Sequence, residues 1–249
     1  MFKAVLSDVD LLKGTIPIIA EIVDEGVFRV DQNGISLLSP DRAMVAVVNL
    51  KILSTAFDEY NATGEDYMGL NLANFSAVLK RLGTGDKLVM ELTEGDNKLK
   101  LTIKGNGVRT FEIPILDIKT EKPPIDKLNF TGKMEVEANL IEQGISDAEI
   151  IGDSVFFEAD GETFRMYARG DVSSAQMEVK KSDKGVLDLK AEGSIKSQYP
   201  LEYLRKMIKA GKISQQMTLE FGTDYPVRMG FKSVDKMEIS FVLAPRVES

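Results

Sequence analysis

Leu201-Glu202-Tyr203-Leu204-Arg205-Lys206-Met207-Ile208-Lys209 decides the fold once it is laid over Leu72-Ala73-Asn74-Phe75-Ser76-Ala77-Val78-Leu79-Lys80. Leu201, Leu204, Met207 and Ile208 fall at helical spacing, 129 positions after Leu72, Phe75, Val78 and Leu79, and Lys209 follows Lys80 at the same interval. Met217, Leu219 and Phe221 follow Leu88, Met90 and Leu92 at that offset too, with Glu220 matching Glu91. Val227, Met229 and Phe231 match Leu99, Leu101 and Ile103 with a slip of one, and Leu12 and Ile16 correspond to Ile141 and Ile145. A fixed offset held through helix, strand, turn and strand marks two similar domains.

Between the halves runs Asp117 to Asn129. Pro123 and Pro124 fix φ and withhold two N–H donors, so this stretch is neither helix nor central strand. Ile118, Ile125 and Leu128 are apolar without a regular period, which reads as an extended tether with points of grip. On this stretch alone, a surface loop inside one large domain is the better reading. With the repeat, the expected division is 1–116, a connecting loop 117–129, and 130–249.

Phe2 to Leu6 alternates as a strand, and Leu12, Ile16, Ile19 and Val23 make one face of a helix over Leu11–Val23, with Lys13 off that face. Pro17 either bends this helix or delays its regular part to about Thr15. Strands follow at 27–30, 35–38 and 44–50, the first two joined by an Asn33-Gly34 hairpin signal. A second helix spans Asn71–Leu82, then a hairpin pairs 88–92 with 99–103, and Val108–Ile113 is the last strand before the tether. The second half opens with a helix of about Asn139 to Ile151. The class is α+β, two helices per domain packed on antiparallel sheet.

The chain has 249 residues, 43% hydrophobic and 28% charged, which is ordinary for a soluble protein with two cores. No apolar run reaches the ~18–20 residues of a membrane span. Cysteine is absent, which fits a reducing intracellular compartment and leaves no disulfide or thiol chemistry. Histidine is absent as well, so the commonest metal ligand and general base is missing; no cofactor or metal is expected, and enzymatic readings are weakened. Net charge is −8, so a nucleic-acid role requires the 31 Lys and Arg to be sorted onto one face. The Leu201 helix shows such sorting: Arg205, Lys206, Lys209 and Lys212 lie off its apolar side, as Lys80 and Arg81 do in the first half. A solvated helix face would look the same; a candidate phosphate-facing surface is the sharper reading.

Asn33-Gly34-Ile35-Ser36-Leu37 before Pro40-Asp41, the proline-containing tether, and the terminal Val242-Leu243-Ala244-Pro245-Arg246 together resemble the sliding DNA clamps of the proliferating cell nuclear antigen family, over the whole chain. The resemblance implies a closed ring of three subunits, a homotrimer, with helices lining the hole and sheets forming the wall. Double-stranded DNA would pass through without base contacts, and the ring would tether DNA polymerase, flap endonuclease, DNA ligase and the clamp loader. It implies no active site. Carried over residue by residue, Lys13, Lys80, Arg81, Arg205, Lys206, Lys209 and Lys212 face DNA. The partner-peptide pocket maps to Pro40, Met44, Val45, Val47, Ile125, Pro226, Val242, Leu243, Ala244 and Pro245. The subunit contact maps to Arg109, Thr110, Phe111 and Ile113 against Ala175, Met177 and Val179, an edge-to-edge strand pairing.

Three positions depart from the family pattern. Pro40 stands where relatives carry a more flexible apolar residue, Pro17 is atypical in the first helix, and the helix of about 139–151 has no Lys or Arg, with Glu142 where the repeat places Lys13. Rival readings are one subunit of a heterotrimeric clamp, an acidic β-rich hydrolase using a carboxylate pair, and a monomeric peptide-binding module.

Overall fold

The computed structural model describes residues 1–119 and 122–246. Thr120 and Glu121 of the tether and the last three residues of the second domain lie outside the described residues. The first half runs β1 (Phe2–Leu6), α1 (Asp10–Ile19), β2 (Glu25–Asp31), β3 (Gly34–Pro40), β4 (Ala46–Leu53), β5 (Glu59–Ala62), β6 (Asp66–Asn71), α2 (Leu72–Leu79), β7 (Lys87–Leu92), β8 (Lys98–Lys104) and β9 (Val108–Pro114). The second half runs β10 (Gly132–Glu137), α3 (Ala138–Glu149), β11 (Ser154–Ala159), β12 (Thr163–Arg169), β13 (Ser174–Lys180), β14 (Val186–Ala191), β15 (Ile195–Pro200), α4 (Leu201–Met207), β16 (Gln216–Phe221), β17 (Val227–Ser233) and β18 (Met237–Leu243). The order of strands and helices is the same in both halves.

Contacts divide the chain into two units. Unit 1 holds Met1–Met44, Val48–Pro123 and Ser233–Ile239; unit 2 holds Val45–Val47, Pro124–Lys232 and the segment from Ser240. In unit 1 the strand order β5-β1-β7-β8-β9 makes one antiparallel sheet, and β4-β3-β2-β6 are neighbours in another. Unit 2 repeats this with β14-β10-β16-β17 and β13-β12-β11-β15. Phe2 opposes Leu92 in the first half and Gly132 opposes Phe221 in the second, so register repeats with order. β18 follows β17 and lies beside β4. Within unit 1 Leu53 N–H donates to the Lys236 carbonyl (2.8 Å), and within unit 2 Ala244 N–H donates to that of Val45 (2.9 Å).

The repeat extends to single hydrogen bonds. Leu72 N–H, at the start of α2, donates to the Asp24 carbonyl, and Leu201 N–H, at the start of α4, donates to that of Asp153, both at 2.9 Å. Each bond satisfies a donor that a helix N-terminus leaves without an internal partner. Likewise Leu116 N–H bonds the Gly69 carbonyl (2.8 Å), and Arg246 N–H bonds that of Gln198 (2.7 Å). The first of these clips the start of the tether onto β6, where a Cβ on Gly69 would meet the Leu116 carbonyl oxygen at 2.2 Å.

Several elements differ from the sequence expectation. The α1 helix begins at Asp10, well before Thr15, and runs through Pro17 to Ile19; the missing proline N–H leaves the Lys13 carbonyl without its helical bond. Tight turns then carry the chain to Val23. Asn71 stays outside α2 because its side chain accepts from Asn74 N–H (3.0 Å), an N-cap. The α3 helix ends at Glu149, and a 3-10 turn, Ile208–Lys212, continues α4. The tether holds a 3-10 turn at Ile125–Lys127. The short strand β5 carries too little apolar alternation to be read from sequence.

The cores differ in character. In unit 1 the largest fully buried side chains are aliphatic, among them Leu6, Ile16, Ile19, Leu37 and Leu70. Unit 2 is organised on Phe157, whose ring lies 5.1 Å from Tyr199, 5.6 Å from Phe164 and 6.0 Å from Phe221. The buried Tyr199 hydroxyl is satisfied by donating to the Tyr225 carbonyl (2.7 Å).

Candidate nucleic-acid face, partner groove and sheet edges

In unit 1, α1 packs beside α2 with its apolar side buried. Lys80 caps the end of α2, and its side chain and that of Arg81 are exposed. Among the described residues neither has a carboxylate within ion-pair distance. Lys13 is placed differently from a free phosphate ligand. Half-buried, it donates from Nζ to the Leu82 carbonyl (2.8 Å). Arg109 of β9 reaches the same turn, donating to the Arg81 carbonyl (3.2 Å) and pairing with Asp86 (2.8 Å). Two cations therefore close the C-terminal end of α2, where unpaired carbonyls concentrate negative potential. Sequence reasoning assigned both to other tasks, because this juxtaposition has no local signal.

In unit 2, α3 packs against α4 and the turn that follows it. Arg205 is exposed, with Nε 3.5 Å from Glu149, and Lys206 pairs with Glu202 at 2.9 Å. Lys209 and Lys212 line a cleft of about 370 Å³ with Glu142 and Gln215. The cations expected from the sequence are thus on the helical side, but carboxylates from α3 and α4 stand among them. Glu202 is held below the usual carboxylate range by Lys206.

Within unit 1 a groove of about 760 Å³ is lined by Val23, Ser39, Pro40, Met44 and Ile118, with Asp24, Glu25, Arg42 and Lys119 adding charge. Pro40 and Met44 were expected at a peptide pocket. In the sequence, Ile118 is only an apolar point on the tether. Met44 is 70% exposed and holds φ at 58°, a left-handed conformation unusual for its type. In unit 2, Val45 and Val47 are half-buried, opposite in phase to buried Ala46 and Val48. Ala244, Pro245 and Pro226 are half-buried there too. Ile125 is buried, its carbonyl accepting from Arg228 (2.9 Å), whose guanidinium lies 4.7 Å from the Phe130 ring centre. Leu243 corrects the expected pocket set: at 0% exposure it belongs to the core, because its side of β18 faces inward, and Val242 is covered as well. Arg246 pairs with Asp153 at 2.6 Å.

The expected subunit-contact residues lie on strands at sheet margins. β9 is the last strand of its unit 1 sheet and β13 the last of its unit 2 sheet. Arg109 and Thr110 are exposed, Phe111 is half-exposed and Ile113 is buried on β9; Ala175 and Met177 are half-exposed and Val179 is buried on β13. Each edge thus offers unpaired backbone groups beside partly covered apolar side chains. Among the described residues, no group of acidic side chains could hold a metal ion, and no helix is long and apolar enough to cross a membrane.

Comparison with known proteins accounts for these features together. Residues 1–122 match the N-terminal domain, and residues 124–246 the C-terminal domain, of proliferating cell nuclear antigen. DNA polymerase sliding clamps of Thermococcus gammatolerans and Pyrococcus horikoshii are each 31% identical, over 230 and 229 residues, 92% of either chain. Among solved structures, PCNA from Thermococcus kodakaraensis aligns with a TM-score of 0.91 at 28% identity, over 99% of this chain and 100% of its own. A PCNA2–PCNA3 complex from Sulfolobus tokodaii gives 0.89 at 27% identity with the same coverage. With both domain matches in order along its length, the chain belongs to the proliferating cell nuclear antigen family.

Proposed function

We propose that the chain is a subunit of a sliding DNA clamp, a ring that encircles duplex DNA and tethers polymerase and other replication enzymes to it. The observation that carries this reading is the pairing state of four repeat-related strands. β18 and β4 are neighbours, whereas their repeat equivalents, β9 and β13, are the margins of their sheets. A second copy supplies the missing partner: its β13 completes β9 as β4 completes β18. Carried through the repeat, the Val45–Ala244 register opposes Phe111 to Met177, Ile113 to Ala175 and Arg109 to Val179. This is a heterologous contact, the type that closes rings, and three copies make the homotrimer.

Helix faces turned inward present Lys80, Arg81 and the α4 cations to the phosphates of any sequence, which is what sliding requires. The net-negative remainder of this His-free, Cys-free chain discourages unspecific adhesion to nucleic acid. The Pro40–Met44–Ile118 groove of unit 1 receives short peptides of polymerase, clamp loader, flap endonuclease or ligase through aromatic and aliphatic anchors. No catalysis enters this reading, which places the chain inside the cell, at the DNA.

Light scattering on a sizing column tests the assembly. The expected mass is three times the chain's. A chain that stays monomeric alone but closes with a different clamp chain would favour the ring of unlike subunits, a reading supported by the likeness to the PCNA2–PCNA3 complex. Replacing Lys80 and Arg81 by Ala should weaken association with duplex DNA and leave the mass unchanged; undiminished association would remove them from the DNA face.

A further inference from the structure

The helix faces of the two units differ in charge. On unit 1, α2 is uncharged from Leu72 to Leu79, and the cations that follow it, Lys80 and Arg81, have no carboxylate at ion-pair distance among the described residues. On unit 2, α3 contains no Lys or Arg, and Glu142, Asp147 and Glu149 are on its exposed side. Glu149 engages Arg205, Glu202 engages Lys206, and Glu142 shares a cleft with Lys209 and Lys212. A carboxylate a few ångströms from a cation leaves only a short-ranged dipole, and salt screens what remains within about 10 Å at 0.1 M. The unit 2 cations are thus partly matched before any phosphate arrives.

We infer that Glu142 and Glu149 are built-in counterions that hold the helix face of unit 2 near neutrality, so that duplex DNA is gripped at the Lys80–Arg81 end of unit 1 and passes unit 2 with little engagement. The inference rests on the clamp reading and refines it. Fewer phosphates are held than the count of lysines and arginines suggests, which favours a ring that stays on DNA by closure and moves along it with low friction. The carboxylates lie on the solvent side of α3, so they set charge without holding the fold.

Titrating a short fluorescent duplex with the full-length protein at a series of salt concentrations counts the phosphates engaged, because log K falls against log salt by about 0.9 per contact. Glu142→Gln with Glu149→Gln should steepen that slope by about 0.9 for each phosphate newly held. Adding Arg205→Ala, Lys209→Ala and Lys212→Ala should erase the gain, and Lys80→Ala with Arg81→Ala should flatten the parent slope. A slope unmoved by the Gln pair but flattened by loss of Lys80 and Arg81 overturns the inference and spares the clamp reading. A slope unmoved by every variant overturns both.

Discussion

The Lys13 ammonium on α1 donates to the Leu82 carbonyl 2.8 Å away, closing the end of α2 from 69 residues earlier in the chain. Lys13→Met keeps the aliphatic stem but removes the donor. It should lower unfolding stability by about 1 kcal/mol, the order of one charge-assisted bond at a helix C-terminus. Urea unfolding measures this directly. A stability equal to that of the parent would return Lys13 to the solvent and to DNA contact alone.

Phe111 stands on one open edge and Met177 on the other. Phe111→Glu should break assembly, shifting the mass in light scattering from the ring to the single chain, while far-ultraviolet circular dichroism stays unchanged because the side chain is already half-exposed. Met177→Glu should do the same from the other edge. Mixing the two variants should not restore rings, since opposing glutamates repel.

Ile118 contributes an apolar wall to the groove of Pro40 and Met44. Ile118→Asp should weaken binding of a peptide with aromatic and aliphatic anchors at least about tenfold, the loss expected for removing one buried hydrophobic contact. Calorimetry with a synthetic peptide checks it, and the assembled mass should not change.

Stability should be flat from about pH 5 to about pH 9, because neither imidazole nor thiol is present to titrate. Arg246 holds Asp153, and Lys190 holds Asp188, below the usual carboxylate range. Folded values below unfolded ones give stability that is present above the unfolded pKa and lost as pH falls, here below about pH 4. Both carboxylates face solvent, so this acid limb should be shallow. At the other end, burial raises the Tyr199 and Tyr60 phenols, so stability should fall as pH climbs past about 10, where unfolded phenols ionise. Urea midpoints against pH trace both limbs, and Tyr199→Phe should flatten the alkaline one.

The repeat was legible because burial repeats: Leu72 and Leu201 both start helices, and the residues spaced from them fill equivalent positions in two cores. The cationic side of the helices was legible as a place, since charge leaves apolar helix faces visibly. Its energetics were not. Lys13 and Arg109 look like surface cations until folding brings Leu82 and Arg81 to them, and nothing near Arg205 in sequence announces Glu149. Leu243 was misplaced because a terminal strand beside prolines looks exposed, whereas its inward phase on β18 buries it completely. The groove needed Ile118, whose role depends on the Leu116–Gly69 bond that lays the tether along β6.

The pairing of β4 with β18 also sets a schedule for synthesis. β4 is complete by Leu53, but the strand beside it begins at Met237, and unit 1 includes Ser233–Ile239. At ribosomal speed the interval lasts on the order of ten seconds or more, during which the β4 edge of a nascent chain has no native mate. The first-made half therefore cannot reach its final form before Met237–Leu243 is made. A chain truncated near its end should fail in the half that was made first.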